Sequence, residues 1–269
     1  MITRFAPSPT GLLHLGHAFS ALTAWRAARA AGGRFLLRIE DIDQTRCKPE
    51  FEAAIFEDLA WLGLDWERPV RRQSEHFDDY AAALDRLRAM GLVYRCFKTR
   101  AEVTAAIASA PHDGPGPMQA FNGPLFTGAA LSEKEEAARI AAGEPFAWRL
   151  SLEAARARLG AAFDPDAENF GDVVIARKDA GASYHLASVH DDALAGVTHV
   201  IRGEDLESAA ALHRVLQALL GYPTPVYRHH RLITDEAGKR LAKRDKALTI
   251  RALRESGAKP GDLIAQLGL

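Results

Sequence analysis

The 269-residue chain carries 34 Lys and Arg against 35 Asp and Glu, a formal net charge of −1, so no global basic field draws it to nucleic acid and any RNA contact must rest on a local patch. A hydrophobic content of 48% suits one large or two smaller globular domains, and no apolar run approaches the ~20 residues of a membrane span. Two cysteines, Cys47 and Cys96, exclude a disulfide framework, and the N-terminus reads as a core strand rather than a leader; both point to the cytoplasm.

Met1 to Phe5 is expected as a strand, followed by a Pro/Gly turn and an apolar-periodic helix from Ala18. Arg34 to Ile39 reads as a short buried strand. Pro49 opens a helix in which Phe51, Ile55, Leu59 and Leu62 recur at helical spacing. Val70 to Gln73 is a weak strand, His76 to Met90 a helix closed by Gly91, and Leu92 to Cys96 a strand. Strands alternating with helices imply parallel β–α–β units and a doubly wound, Rossmann-like α/β sheet. Eight Pro and Gly residues between Pro111 and Gly128 break the pattern. A helix (Ser132 to Ala142) and a strand-like Phe146 to Leu150 follow, and residues 97–168 are expected to form an inserted α+β subdomain. The α/β pattern resumes at Asp172 to Ala176 and Val197 to Arg202. A helix then turns Leu212, Val215, Leu216 and Leu219 inward, capped by Gly221 and stopped at Pro223. The expected division is a split catalytic domain (1–96 and 169–235), the insertion, and a tail (236–269) with a basic loop and two short helices, Thr249 to Ser256 and Pro260 to Leu267.

The junction from Arg4 to His17 (RFAPSPTGLLHLGH) carries the most chemistry. A helix N-terminus offers N–H groups and positive dipole charge to a phosphate. Gly16 lets backbone or an adenine ring come close. His14 and His17 are placed to donate hydrogen bonds to triphosphate oxygens as charge builds in a transition state. Arg4 and Arg202 end expected strands on the edge of the sheet where parallel folds bind ligands.

This junction resembles the signature of the class I aminoacyl-tRNA synthetases in the form used by their glutamyl and glutaminyl branch. Further motifs of that branch follow in order: Arg38-Ile39-Glu40-Asp41-Ile42-Asp43, Tyr184-His185-Leu186-Ala187, Asp191-Asp192, Gly196 to Asp205 (GVTHVIRGED), and Arg240-Leu241-Ala242-Lys243-Arg244. The resemblance covers roughly residues 1–98 and 170–250. It implies ATP, arriving with Mg2+, held by His14, Gly16, His17 and Lys243, with His14, His17 and Lys243 catalytic. It also implies L-glutamate held by Arg4, Ser8, Glu40, Tyr184 and Arg202: two guanidiniums fit two carboxylates, and Glu40 meets the amino group. The basic loop departs from the family's Lys-Leu-Ser-Lys-Arg, with Arg240 in place of the first Lys and Ala242 in place of Ser. Lys243 is kept, to meet charge developing at the α-phosphate.

Cys96 stands where related short proteins begin a Cys-x-Cys zinc site, but Lys98 takes the second position, and His112 with Asp113 are weak substitutes; zinc is expected to be absent. Asp41, Asp43, Asp191 and Asp192 are read as caps and loop partners rather than a metal site. His229-His230 is read as no site, since neighbours on a strand face opposite ways. The chain ends at Leu269, soon after the basic loop, where longer members of the branch continue into an anticodon-reading region. The resemblance is therefore to the short form, which implies a monomer that transfers glutamate from glutamyl-adenylate to queuosine in the tRNA(Asp) anticodon stem-loop. The alternatives are a glutamyl-tRNA synthetase-type fragment that charges the tRNA 3′ end, a non-catalytic glutamate- or RNA-binding module, and a His-x-Gly-His nucleotidyltransferase, which the Glu40 and Arg202 motifs disfavour.

Overall fold

The computed structural model describes residues 1–99, 101–103, 126–177, 181–233 and 249–269. The chain divides into two compact units, one of Met1–His76, Ala195–Glu207 and Pro225–Leu269, the other of Phe77–Leu194 and Ser208–Thr224.

In the first unit β1 (Ile2–Phe5), β2 (Arg34–Ile39) and β3 (Glu67–Arg72) form a parallel sheet, with α1 (Leu15–Ala30) and α2 (Pro49–Trp61) as the crossovers. The register pairs Ile2 with Arg34 and Phe5 with Leu37, so the carboxyl ends of β1 and β2 lie side by side. β7 (His199–Gly203) and β8 (Val226–His230) form a second parallel pair. It joins β1 at its start, where the Thr198 N–H donates to the Ile2 carbonyl at 3.0 Å and the Ile2 N–H to Thr198 Oγ1 at 2.9 Å. α1 buries Ala18, Phe19, Ala21 and Leu22, and the buried Thr3 hydroxyl donates to the Ala24 carbonyl at 2.8 Å, which locks helix to strand. Pro49 opens α2 at the position where a missing N–H costs nothing, with Glu50 and Glu52 complementing the helix dipole. Phe35, Leu37, Ile39, Ile55 and Leu59 fill the core, and the last two helices of the chain close on it through Ile250, Leu263 and Leu267. The expected tail is thus part of this unit, because its apolar stripe has the same core to cover.

In the second unit β4 (Val93–Cys96), β5 (Ala147–Leu150) and β6 (Val174–Arg177) make an antiparallel sheet with Val93 opposite Leu150 and Trp148 opposite Ala176. This corrects two expectations. The strands over 92–96 and 172–176 do not continue the parallel sheet; they pair with the strand of the expected insertion, and the second unit accordingly extends beyond 97–168 on both sides. Alternating apolar residues permit either pairing, and only the partner's direction decides it. Around the sheet lie α3 (Phe77–Ala89), α4 (Glu133–Ala141), α5 (Leu152–Leu159), α6 (Tyr184–Leu194) and α7 (Ala209–Leu220). Leu87, Leu150, Ile175, Leu186, Leu212 and Leu216 form its core. Gly221 ends α7 in the left-handed conformation at φ 65°, which a side chain disfavours.

Candidate active site

The turn after β1 delivers His14 to the N-cap of α1, where its extended backbone (φ −122°, ψ 177°) lets the ring fold over the first helical turn. His14 Nδ1 accepts from the Gly16 N–H at 3.1 Å, and His17 Nδ1 accepts from the His14 N–H at 3.2 Å, a reciprocal capping box built from two imidazoles. The rings lie 3.8 Å apart at 35°. An imidazole that accepts at Nδ1 carries its proton at Nε2 when neutral. Both rings therefore present an N–H donor above a helix N-terminus whose first turn has no acidic residue. A Cβ at Gly16 would sit 3.0 Å from His14 Cε1, so glycine here makes room for the His14 ring itself.

Arg4, near the end of β1, and Arg202, near the end of β7, are both buried, and the two strands begin side by side at Ile2 and Thr198. Both arginines thus stand near the carboxyl ends of parallel strands, the end at which such folds usually bind ligands. Glu40 follows β2 directly. Its N–H donates to the Pro7 carbonyl at 3.0 Å, and its carboxylate takes a 2.9 Å bond from Arg38, with only 5% and 10% of the two side chains exposed. Ser8 lies in the same turn, its carbonyl accepting from the Thr10 N–H at 2.8 Å. Arg202 Nη2 donates to the Leu206 carbonyl at 2.9 Å, Nε donates to His229 Nε2 at 3.4 Å, and the guanidinium lies 5.2 Å over the Tyr227 ring.

Arg4, Ser8, His14, Gly16, His17, Glu40 and Arg202 thus all belong to the first unit. Tyr184 opens α6 of the second unit, its ring 5.3 Å from His185 and 5.7 Å from His213, which are themselves joined Nδ1 to Nε2 at 3.1 Å. Lys243, with the whole basic run from Lys239 to Lys246, lies outside the described residues, as do His112 and Asp113. The first described residue after that run is Thr249, which bridges to His14, and the Ile250 N–H donates to the Leu13 carbonyl at 2.9 Å.

Asp41 and Asp43 hold loops, whereas Asp191 is not the cap or loop partner expected but ties α6 to α3. Asp41 accepts from the Ser74 N–H at 2.8 Å and from its hydroxyl. Asp43 caps its own turn, and hydrogen bonds from Thr45 and Arg46 hold its carboxyl down to about 2. Asp191 receives the Tyr80 hydroxyl. Among the described residues no group of three or more His, Cys, Asp or Glu is placed to hold a metal ion. Cys96 is buried with Tyr94, Val103 and Phe126. None of the described helices is long and apolar enough to cross a membrane.

Three further residues touch these side chains: Arg38 meets Glu40, Thr249 bridges to His14, and His229 accepts from Arg202. Arg38 had a signal, since it stands two residues before Glu40 on one side of an extended strand. His229 belongs to the pair read as no site, yet the cross-strand register sets it against Arg202, and Thr249 had no signal, because His14 is distant in the chain.

A family model described as tRNA synthetases class I (E and Q), catalytic domain, matches residues 1–269. The chain belongs to this family. As a class I tRNA synthetase domain it is a ligase. It is 49% identical to a protein from Rhodobacter capsulatus named glutamyl-Q tRNA(Asp) synthetase, with 100% of both chains covered. It is 43% identical to a protein of that name from Nocardia farcinica, covering 98% of this chain and 82% of that one. Glutamate–tRNA ligase 1 of Ruegeria pomeroyi is 42% identical over 99% of this chain but only 60% of the ligase. Among solved structures, the glutamate-tRNA synthetase of Elizabethkingia anophelis superimposes with a TM-score of 0.73 at 29% identity. That match covers 91% of this chain and 53% of the other, so the chain spans about half the length of that structure.

Proposed function

We propose that the chain activates L-glutamate with ATP and transfers the glutamyl group to queuosine in the anticodon of tRNA(Asp). The observation that carries this reading is the end-to-end match to the Rhodobacter capsulatus protein named for that reaction. A carboxylate oxygen of glutamate attacks the α-phosphorus of ATP, and pyrophosphate leaves. A hydroxyl of the queuosine cyclopentene-diol then attacks the acyl carbon, and AMP leaves. His14 and His17 suit the first step: their Nε2–H donors meet charge developing on phosphate oxygens. Lys243 supplies a cation to the same charge. It lies six residues before the Thr249–His14 bridge, a tether of at most about 20 Å. Magnesium would enter with the nucleotide and keep most of its waters, so it needs no protein cage.

Arg4 and Arg202 meet the two carboxylates of glutamate. Glu40 meets the ammonium: one carboxylate has acceptor capacity for both Arg38 and a ligand amine. Ser8 and Tyr184 take their glutamate contacts from the motif alone. The 42% identity to the Ruegeria pomeroyi ligase supports a second reading, charging of a tRNA 3′ end.

Two assays separate them. ATP–pyrophosphate exchange should require glutamate and proceed without RNA; a folded protein with no exchange rejects catalysis. Labelled glutamate should enter queuosine-containing tRNA(Asp) and resist removal of the tRNA 3′ adenosine. Label lost with that adenosine selects the second reading.

A further inference from the structure

Arg202 is held on its Nε side by the protein. Nε donates to His229, and Nη2, on the same edge of the guanidinium, donates to the Leu206 carbonyl. The register explains the first bond: Arg202 and His229 are direct partners across the β7–β8 ladder, and Tyr227, two residues back on the same face of β8, carries its ring under the guanidinium. The Tyr227 and His229 rings run nearly parallel, at 10°. His230 turns to the other face, its ring edge-on to Phe19 at 5.0 Å and its Nδ1 donating to the Arg231 carbonyl. The two adjacent histidines are therefore not equivalent, and only His229 faces the ligand-binding arginine.

We infer that His229 is the positioning residue for Arg202, an imidazole acceptor that fixes the guanidinium so that it meets a substrate carboxylate through its Nη1–Nη2 fork. A bidentate pair needs the guanidinium plane set before the ligand arrives; an arginine free to swing about its last torsions gives up ordering entropy on binding instead. Two anchors on one edge fix the plane, and the Tyr227 ring supports its face. His229 touches no substrate in this arrangement. Its contribution appears in glutamate affinity and not in chemistry at phosphorus. The inference rests on the glutamate-binding reading of Arg202, and the test separates the two.

The variants are His229→Phe, which keeps ring and packing but deletes the acceptor, and His229→Gln, whose Oε1 reaches the place of Nε2. In ATP–pyrophosphate exchange His229→Phe should raise KM for glutamate about tenfold, the scale of one lost hydrogen bond to a charged group. KM for ATP and kcat should stay within about twofold, and His229→Gln should recover most of the loss. A role in packing alone moves melting temperature without this split or this rescue. A glutamate KM within threefold of the parent in His229→Phe, or equal losses in Phe and Gln, overturns the inference. If the Phe variant fails to fold, His229→Asn against His229→Gln carries the same contrast, since the shorter amide does not reach Arg202. Arg202→Ala with unchanged glutamate KM overturns the reading of Arg202 and the inference with it. Loss of glutamate use in Arg202→Ala beside a silent His229→Phe overturns the inference alone.

Discussion

The two units use their buried polar groups differently. In the first, Arg4, Arg38 and Arg202 are buried at or near the carboxyl ends of parallel strands, with Glu40 just beyond one of them. In the second, the buried groups lie inside the packing and tie segments together. Asp172 receives the Leu152 N–H at 2.9 Å, the Gly128 N–H at 2.9 Å and the Tyr94 hydroxyl at 2.8 Å, and burial together with Asp172 pushes the Tyr94 phenol up. Tyr80 binds Asp191 in the same way. Burial of a charge is therefore not in itself a sign of function. Position decides: groups at the carboxyl ends of parallel strands stand where such folds bind ligands, while groups between elements replace apolar packing with hydrogen bonds.

Substitutions in the two units sharpen this contrast. The largest effect is expected from Lys243→Ala, which should cost about 3 kcal/mol of activation free energy, as for one oxyanion donor, and appear in kcat of pyrophosphate exchange with stability unchanged. A fall of less than threefold would transfer the role to Arg240 or Arg244. Asp172→Ala should do the reverse: it strands three donors, and about 3 kcal/mol of unfolding free energy should be lost in urea titrations, with glutamate KM unchanged. An altered KM with full stability would break the comparison from the other side.

Asp58 is the exception within the first unit, a fully buried carboxylate on α2 away from the strand ends. Neither oxygen accepts a hydrogen bond among the described residues, and Arg254 approaches only to 3.8 Å. Burial raises its pKa to about 6, with Arg254 and Arg251 opposing. The folded value lies above the ordinary 3.8, so protonation favours the fold: this contribution is complete below about pH 4 and is lost as pH rises through about 6. Asp58→Asn should match the parent near pH 4 and exceed its stability by about 1–3 kcal/mol at pH 7.5. A parallel pair of pH–stability curves would show the carboxyl to be solvated instead. The smallest effect expected is none. The purified chain should carry no stoichiometric zinc, and chelator should leave its melting temperature unchanged. About one zinc per chain by elemental analysis would show that Cys96 belongs to a metal-binding set.

The local code of this sequence determined a good deal. Proline at the start of α2, glycine after α7 and the apolar spacing of both helices located those elements, because caps and periodicity act over a few residues. The ordered motifs fixed the family and named His14, His17, Glu40 and Arg202, because residues next to a strand end or a helix start are placed by that element alone. Tertiary structure decided what depends on partners far along the chain. Strands 93–96 and 174–177 have sequences that fit either kind of sheet, and only pairing with Ala147–Leu150 made them antiparallel and enlarged the second unit. Arg202 acquired His229 through a cross-strand register, and His14 acquired Thr249 through a bridge spanning nearly the whole chain. Such contacts leave no trace in spacing, because hydrogen bonds and packing between distant segments are set when the chain closes on its core.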